Sequence, residues 1–252
     1  VTLLIDGIGG RRKSGKDTIG AYLVEHHGYT RVAFGDRIKQ ITKAVFAYPD
    51  EQLIGSDAQK ATPDPRGADP AFWTAIRAAA EEHRGLFEST ARGYSGDSVA
   101  VFHAMTDRYL RPLGASLTPR KVLQYLGSQW RDACNQPLMW VEWTWAVIQE
   151  LAAKPSTYNP LHGVLAAETK VQPRFVITDV RFVHEVAALS QRGARVGFVD
   201  AERRLGPMPA DEHESEPRIE RFRMIVDYLI DNNGTLEELS PRIEDLWRDR
   251  LA

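Results

Sequence analysis

A single cysteine, Cys134, occurs among the 252 residues, so the chain can form no internal disulfide. A reducing compartment suits such a chain, and Cys134 reads most simply as a small buried apolar residue. No apolar run reaches the ~18 residues that a membrane-spanning helix needs. Surplus charge is lacking too. The formal net charge is −2, which gives no global pull toward nucleic acid or a membrane surface. No internal repeat is visible. No basic leader or cleavage site precedes the first strand, and the expected location is the cytoplasm. His26 and His27 are adjacent at a helix end, but no second cluster accompanies them as further metal ligands.

What remains is ordinary globular material, 43% hydrophobic and 26% charged. The length accommodates one large α/β domain, or one domain with an inserted lobe. The most informative stretch is Gly10-Arg11-Arg12-Lys13-Ser14-Gly15-Lys16-Asp17-Thr18. An apolar run at 1–5 reads as a buried parallel strand before it, and Ile19 to His27 reads as a helix after it. Strand, glycine loop with lysine, helix is the context that makes a G-x-x-x-x-G-K pattern a phosphate-binding loop. Backbone N–H groups and the helix dipole favour an anion there, and Lys16 reaches its outer phosphates as a point charge. Arg11, Arg12 and Lys13 add positive charge. Asp17 stands where Ser or Thr is usual, with Thr18 next.

Thr30 to Phe34 reads as a second strand, broken by Gly35-Asp36, which caps a helix from Arg37 to about Ala47. Alternating strand and helix begin a doubly wound sheet. Such sheets bind ligands at the carboxyl ends of their strands, which makes Asp36, Arg37 and Lys39 candidates for an acceptor. Residues 55–118 read as a mostly helical insertion. Thr118-Pro119 opens another helix, carrying Arg120, Gln124 and Arg131, with Gly127 interrupting it. Met139 to Leu151 is helical, its tryptophans read as core, and Lys154 to Pro173 reads as loop. Arg174 to Thr178 is a buried strand ending in Thr178-Asp179-Val180-Arg181. An acidic residue at such a tip suits Mg²⁺, and Arg181 suits a phosphate. A helix over 182–192, a strand over 194–199, a polar stretch with His213, a last strand over 224–230 and a helix capped by Thr235 complete the reading.

The loop resembles that of phage-type deoxynucleoside monophosphate kinases, and also that of animal phosphomevalonate kinases, which share the Lys-Asp pair. Four further matches favour the phage nucleotide kinases. They are Phe34-Gly35-Asp36-Arg37-Ile38-Lys39; Pro119-Arg120 with Leu123-Gln124 and Leu126-Gly127; Thr178-Asp179-Val180-Arg181-Phe182 with Glu185; and His213 with Ser215-Glu216. Residues 55–118 lie outside the resemblance. The resemblance implies a three-layer P-loop kinase fold with a parallel central sheet and with 1–54 and 119–252 as its core, and the helical insertion read at 55–118 would be a substrate-binding lobe or lid. The resemblance also implies phosphoryl transfer from ATP, with Mg²⁺, to a deoxynucleoside 5′-monophosphate. Lys16 would hold the β- and γ-phosphates within the nucleotide loop Gly10 to Thr18, Ser14 and Gly15 included. Arg11, Arg12 and Lys13 would steady the moving phosphoryl. Asp17 and Asp179 would serve the metal. Asp36, Arg37, Lys39, Arg120, Gln124, Arg131 and Arg181 would serve the monophosphate, with Asp36, Asp179 and Arg181 close to the chemistry.

Two other readings remain open from sequence. Some phage relatives phosphorylate a hydroxymethylated pyrimidine already in DNA, which would need a base such as Asp17 or Asp36 and a basic groove. A non-catalytic nucleotide-binding protein is the other. A phage-encoded chain would work in the host cytoplasm, and a homodimer is left open.

Overall fold

The computed structural model describes residues 3–154, 156–166, 173–207 and 219–251. The expectations for His213, Ser215 and Glu216, and for the first two residues of the opening strand, lie outside them. The chain divides into two compact units. One comprises Val1–Ala33, Ile148–Thr157 and Ala166–Ala252, and the other Phe34–Val147 and Tyr158–Leu165.

Seven strands are described: β1 (Leu4–Gly10), β2 (Thr30–Val32), β3 (Ser156–Asn159), β4 (Gly163–Ala166), β5 (Arg174–Val180), β6 (Arg195–Asp200) and β7 (Tyr228–Asp231). The first unit is built on a five-stranded sheet in the order β2-β5-β1-β6-β7. Every pairing in it is parallel, with Ile5 opposite Phe175 and Gly7 opposite Val196. Helix α1 (Lys16–His27) and the helix Leu236–Leu251 cover one face. There Ile19, Leu23, Leu239, Ile243 and Trp247 pack on Ile8, Val176, Val199 and Ile230. Fully burying each such aliphatic side chain contributes about 1.5–3 kcal/mol. On the opposite face, Leu189 of the helix Val183–Gln191 and Phe222 of the helix Ile219–Arg223 lie against β1. Helices on both faces of a parallel sheet make the three layers expected from sequence.

Several boundaries differ from the sequence reading, for identifiable reasons. The opening strand runs on to Gly10 instead of ending at residue 5. Its glycines are packing residues: a Cβ on Gly7 would stand 3.0 Å from Leu189 Cδ1, and one on Gly9 2.9 Å from Phe222. β2 stops at Val32, and the Gly35-Asp36 pair lies inside the first turn of helix α2 (Phe34–Phe46) instead of breaking the chain before it. The last strand starts at Tyr228, the residues before it ending the helix Ile219–Arg223. The stretch 154–173, read as loop, holds β3 and β4, a separate two-stranded sheet.

The second unit is mainly helical. Its core is aromatic: Phe87 stands 4.9 Å from Phe102 and 5.5 Å, edge-on, from Trp130. Of the tryptophans read as core, Trp140 and Trp143 are buried and Trp145 is half-buried. Thr118 caps the helix Pro119–Tyr125 by accepting from the Lys121 amide. At Gly127 the helix widens into a π-turn over Leu126–Trp130, and the Trp140 indole donates to the Gly127 carbonyl at 3.0 Å. Cys134 is fully buried.

Candidate functional site

β1 delivers the chain at Gly10 and α1 receives it at Lys16, so residues 11–15 must turn within a few peptides. The turn uses left-handed backbone at Lys13, φ 63°, and at Gly15, φ 101°. For a non-glycine residue this conformation costs about 1–2 kcal/mol, so other contacts must hold Lys13 in place. Gly15 has a further reason to lack a side chain, since a Cβ there would stand 2.2 Å from Asn232 Nδ2.

Within this turn Lys16 is buried, and its Nζ donates to the Arg11 carbonyl at 3.1 Å. The Ser14 amide donates to the same carbonyl at 3.0 Å. The Ser14 hydroxyl is buried and has no hydrogen-bond partner among the described residues. No side chain caps the start of α1, which leaves amide donors there for an outside anion. Arg12, Lys13 and Thr18 are exposed. The Arg11 guanidinium turns back to the Gly206 carbonyl at 2.8 Å.

Asp17 leans away from the turn. Its Oδ1 accepts from Arg31 Nη2 at 3.2 Å, and Arg31 Nε donates to Thr178 Oγ1 at 3.0 Å. Asp179, half-buried, follows Thr178 one residue before β5 ends at Val180. Beyond it, Glu185 Oε2 accepts the backbone amides of Arg181 at 2.7 Å and Phe182 at 2.9 Å. Burial pushes the Glu185 carboxyl up to about 7, the two amides opposing and the nearby Asp179 charge adding to the rise. Among the described residues no group of three or more His, Cys, Asp or Glu side chains is disposed to hold a metal.

Three residues that sequence reasoning missed complete this neighbourhood. Arg204 Nη2 donates to the carbonyls of Lys13 and Ser14, and Asn232 Nδ2 donates to the Ser14 carbonyl. Asn233 Oδ1 accepts the amides of Arg203 and Arg204. A pocket of about 240 Å³ lies beside them, with Lys13, Gly15, Thr18 and Arg204 on its polar side and Leu236 and Leu239 on its apolar side. The only sequence signal was the polar run Asp231-Asn232-Asn233-Gly234 after a strand, read as a plain turn.

The remaining candidates belong to the helical unit. Asp36 is buried, receiving Lys39 Nζ at 2.8 Å and the Tyr158 hydroxyl at 3.0 Å. Arg37 is held by neutral acceptors: Thr90 Oγ1, Gln40 Oε1, the Leu86 carbonyl and Ser89 Oγ. Its guanidinium stands 5.4 Å from the Trp143 ring centre. Burial lowers Arg37 to about 10, with Tyr158 opposing and Arg92 reinforcing. Arg120 pairs with Asp57 at 2.6 Å and Arg131 with Asp132 at 2.7 Å, while Gln124 is exposed. So Asp36, Arg37 and Lys39 sit together on α2, while Arg120, Gln124 and Arg131 follow the helix and π-turn over 119–131.

Two comparisons bear on this arrangement. The family model described as deoxynucleotide monophosphate kinase matches residues 160–243, which include Asp179, Arg181, Arg204 and Asn232 but not the turn at 10–18. A protein of Acanthamoeba polyphaga mimivirus, provisionally named a deoxynucleotide monophosphate kinase, is 25% identical over 248 residues, covering 96% of this chain and 94% of the relative. With the three-layer sheet, these matches support a kinase of nucleotide metabolism. The family to which both point is the deoxynucleotide monophosphate kinases, as the sequence resemblance implied. Neither points to a DNA acceptor. Among the described residues no helix is long and apolar enough to cross a membrane.

Proposed function

We propose that this chain transfers the γ-phosphoryl group of ATP, with Mg²⁺, to a deoxynucleoside 5′-monophosphate, giving the diphosphate. The observation that carries the reading is the turn itself: two left-handed residues, a buried lysine at the start of an uncapped helix, and a buried serine hydroxyl with no partner among the described residues. That is the chemistry of an anion cradle. The pocket beside Arg204 and Leu236, polar on one side and apolar on the other, is where the base end of the same nucleotide would lie.

Two carboxylates are available for the metal, Asp179 near the end of β5 and Asp17 once released from Arg31. Mg²⁺ is bound by one or two carboxylates plus substrate phosphates and water, and Asp179 and Asp17 would supply those carboxylates. When bound, the ion neutralises charge on the β- and γ-phosphates. Lys16 then exchanges the Arg11 carbonyl for phosphate oxygen. Arg11, Arg12 and Lys13 add positive charge where charge spreads in the transition state. Thr18, on the first turn of α1, serves the α-phosphate.

The acceptor role falls to Asp36, Arg37, Lys39, Arg120, Gln124 and Arg131, together with Arg181. The helical segment 55–118 takes a substrate-binding role. Arg37 is the firmest of these assignments: none of its contacts within the described residues is to a carboxylate, and a buried cation so placed favours an anion. An acceptor phosphate is already a nucleophile near neutral pH, so no strong general base is needed. Incubation with Mg-ATP and each deoxynucleoside monophosphate in turn tests the reading. It is upheld by formation of a diphosphate and overturned if none forms.

A further inference from the structure

The peptides that form the anion cradle are held from behind. In a trans peptide the C=O and the following N–H point to opposite sides. Arg204 Nη2 and Asn232 Nδ2 both donate to the Ser14 carbonyl, at 3.0 and 2.8 Å, which fixes the direction of the Gly15 amide at the opposite edge of that peptide plane. Arg204 Nη2 also binds the Lys13 carbonyl, at 3.1 Å, the residue whose left-handed backbone most needs an external tie.

The brace is itself anchored. Arg204 Nε donates to the Asn232 carbonyl at 3.0 Å, and the Asn232 amide donates to the Asp200 carbonyl at 2.7 Å. Asn233 joins the ends of β6 and β7 by accepting the amides of Arg203 and Arg204 and donating to Asp200 O. A third tie runs the other way, from Arg11 to the Gly206 carbonyl. Both ends of the turn are therefore fastened to the short segment 201–206, which follows β6.

We infer that Arg204 is a positioning residue: with Asn232 it holds the Lys13 and Ser14 peptides so that the Gly15 amide faces a bound phosphate. This rests on the proposed nucleotide site but concerns the backbone geometry of the turn. Because Arg204 also borders the pocket assigned to the nucleotide, hydrogen exchange at the Gly15 amide, which loss of a direct ligand contact would not move, is the readout that isolates its action through the backbone.

The test compares wild type, Arg204→Ala, Arg204→Lys and Asn232→Ala. Three quantities are read: affinity for a non-hydrolysable ATP analogue with Mg²⁺, hydrogen exchange at the Gly15 amide in the nucleotide-free chain, and the melting temperature. Arg204→Ala should raise the analogue's Kd roughly tenfold, as the loss of charge-assisted hydrogen bonds does. It should also speed hydrogen exchange at the Gly15 amide. Arg204→Lys should recover part of the affinity, because one ammonium reaches one carbonyl where the guanidinium fork spans more. Arg204→Ala and Asn232→Ala should be non-additive when combined, since they share the Ser14 carbonyl. Unchanged Gly15 exchange in both alanine variants would overturn the inference. So would unchanged analogue affinity, or a loss of affinity that merely follows a falling melting temperature. If wild type bound no analogue, the functional reading would fail, and Gly15 exchange would still decide the positioning role.

Discussion

Asp17 and Arg31 are joined at 3.2 Å, and Arg31 is fixed in turn by Thr178. The residue that most sets this loop apart in sequence is thus tied to an arginine on β2. If Asp17 serves the metal, Arg31 competes with it. Arg31→Ala should therefore lower the Mg²⁺ concentration needed for half-maximal turnover. The effect should be within about fivefold, because an exposed pair is worth under about 1 kcal/mol. Asp17→Asn should raise that concentration. A Mg²⁺ titration of both variants checks this, and matching curves for wild type and Arg31→Ala would separate Asp17 from the metal.

Glu185 makes stability depend on pH. Its folded-state value of about 7 lies above the ordinary 4.5, so the native chain binds this proton more tightly than the unfolded chain does. That contribution is fully present below pH 4.5 and is lost as pH rises through about 7. A shift of this size corresponds to about 3 kcal/mol at most. Glu185→Gln keeps an acceptor for the two amides but removes the titration. Urea midpoints measured across this window should fall with pH in wild type more steeply than in the variant. Equal slopes would contradict the assignment.

Arg37 should matter for folding as well as for substrate. Its removal takes the donor from Thr90 Oγ1, Gln40 Oε1 and Ser89 Oγ, the first two of them in buried contacts, while the Leu86 carbonyl keeps the Thr90 and Ser89 hydroxyls. Arg37→Ala should cost about 2–4 kcal/mol in denaturant unfolding, and Arg37→Lys should recover little, lacking the planar fork. An unchanged unfolding midpoint with a raised acceptor KM would make Arg37 a substrate ligand alone.

The sheet was legible because its strands are short apolar runs separated by amphipathic helices, and the loop because its glycines and lysine sit between two such elements. Other features depend on partners far away in sequence. The opening strand, expected to end at residue 5, continues through Gly7 and Gly9 because Leu189 and Phe222 occupy the space their side chains would need. Gly35-Asp36 looked like a break, whereas Asp36 is held inside a helix by Lys39 and by Tyr158, which is remote in sequence. Arg204 and Asn232 carried no motif at all. Their role lies in backbone carbonyls some 190 to 218 residues away, and carbonyl direction leaves no trace in side-chain pattern.

The most direct test is the transfer reaction itself, run on wild type and Lys16→Ala with Mg-ATP and the separate deoxynucleoside monophosphates. ADP and deoxynucleoside diphosphate are measured together. The expected result is equal amounts of both from wild type with at least one acceptor, and loss of both in Lys16→Ala at an unchanged melting temperature. No diphosphate from any monophosphate, or undiminished transfer by Lys16→Ala, would contradict the assignment of this chain as a kinase built on the Gly10–Thr18 turn.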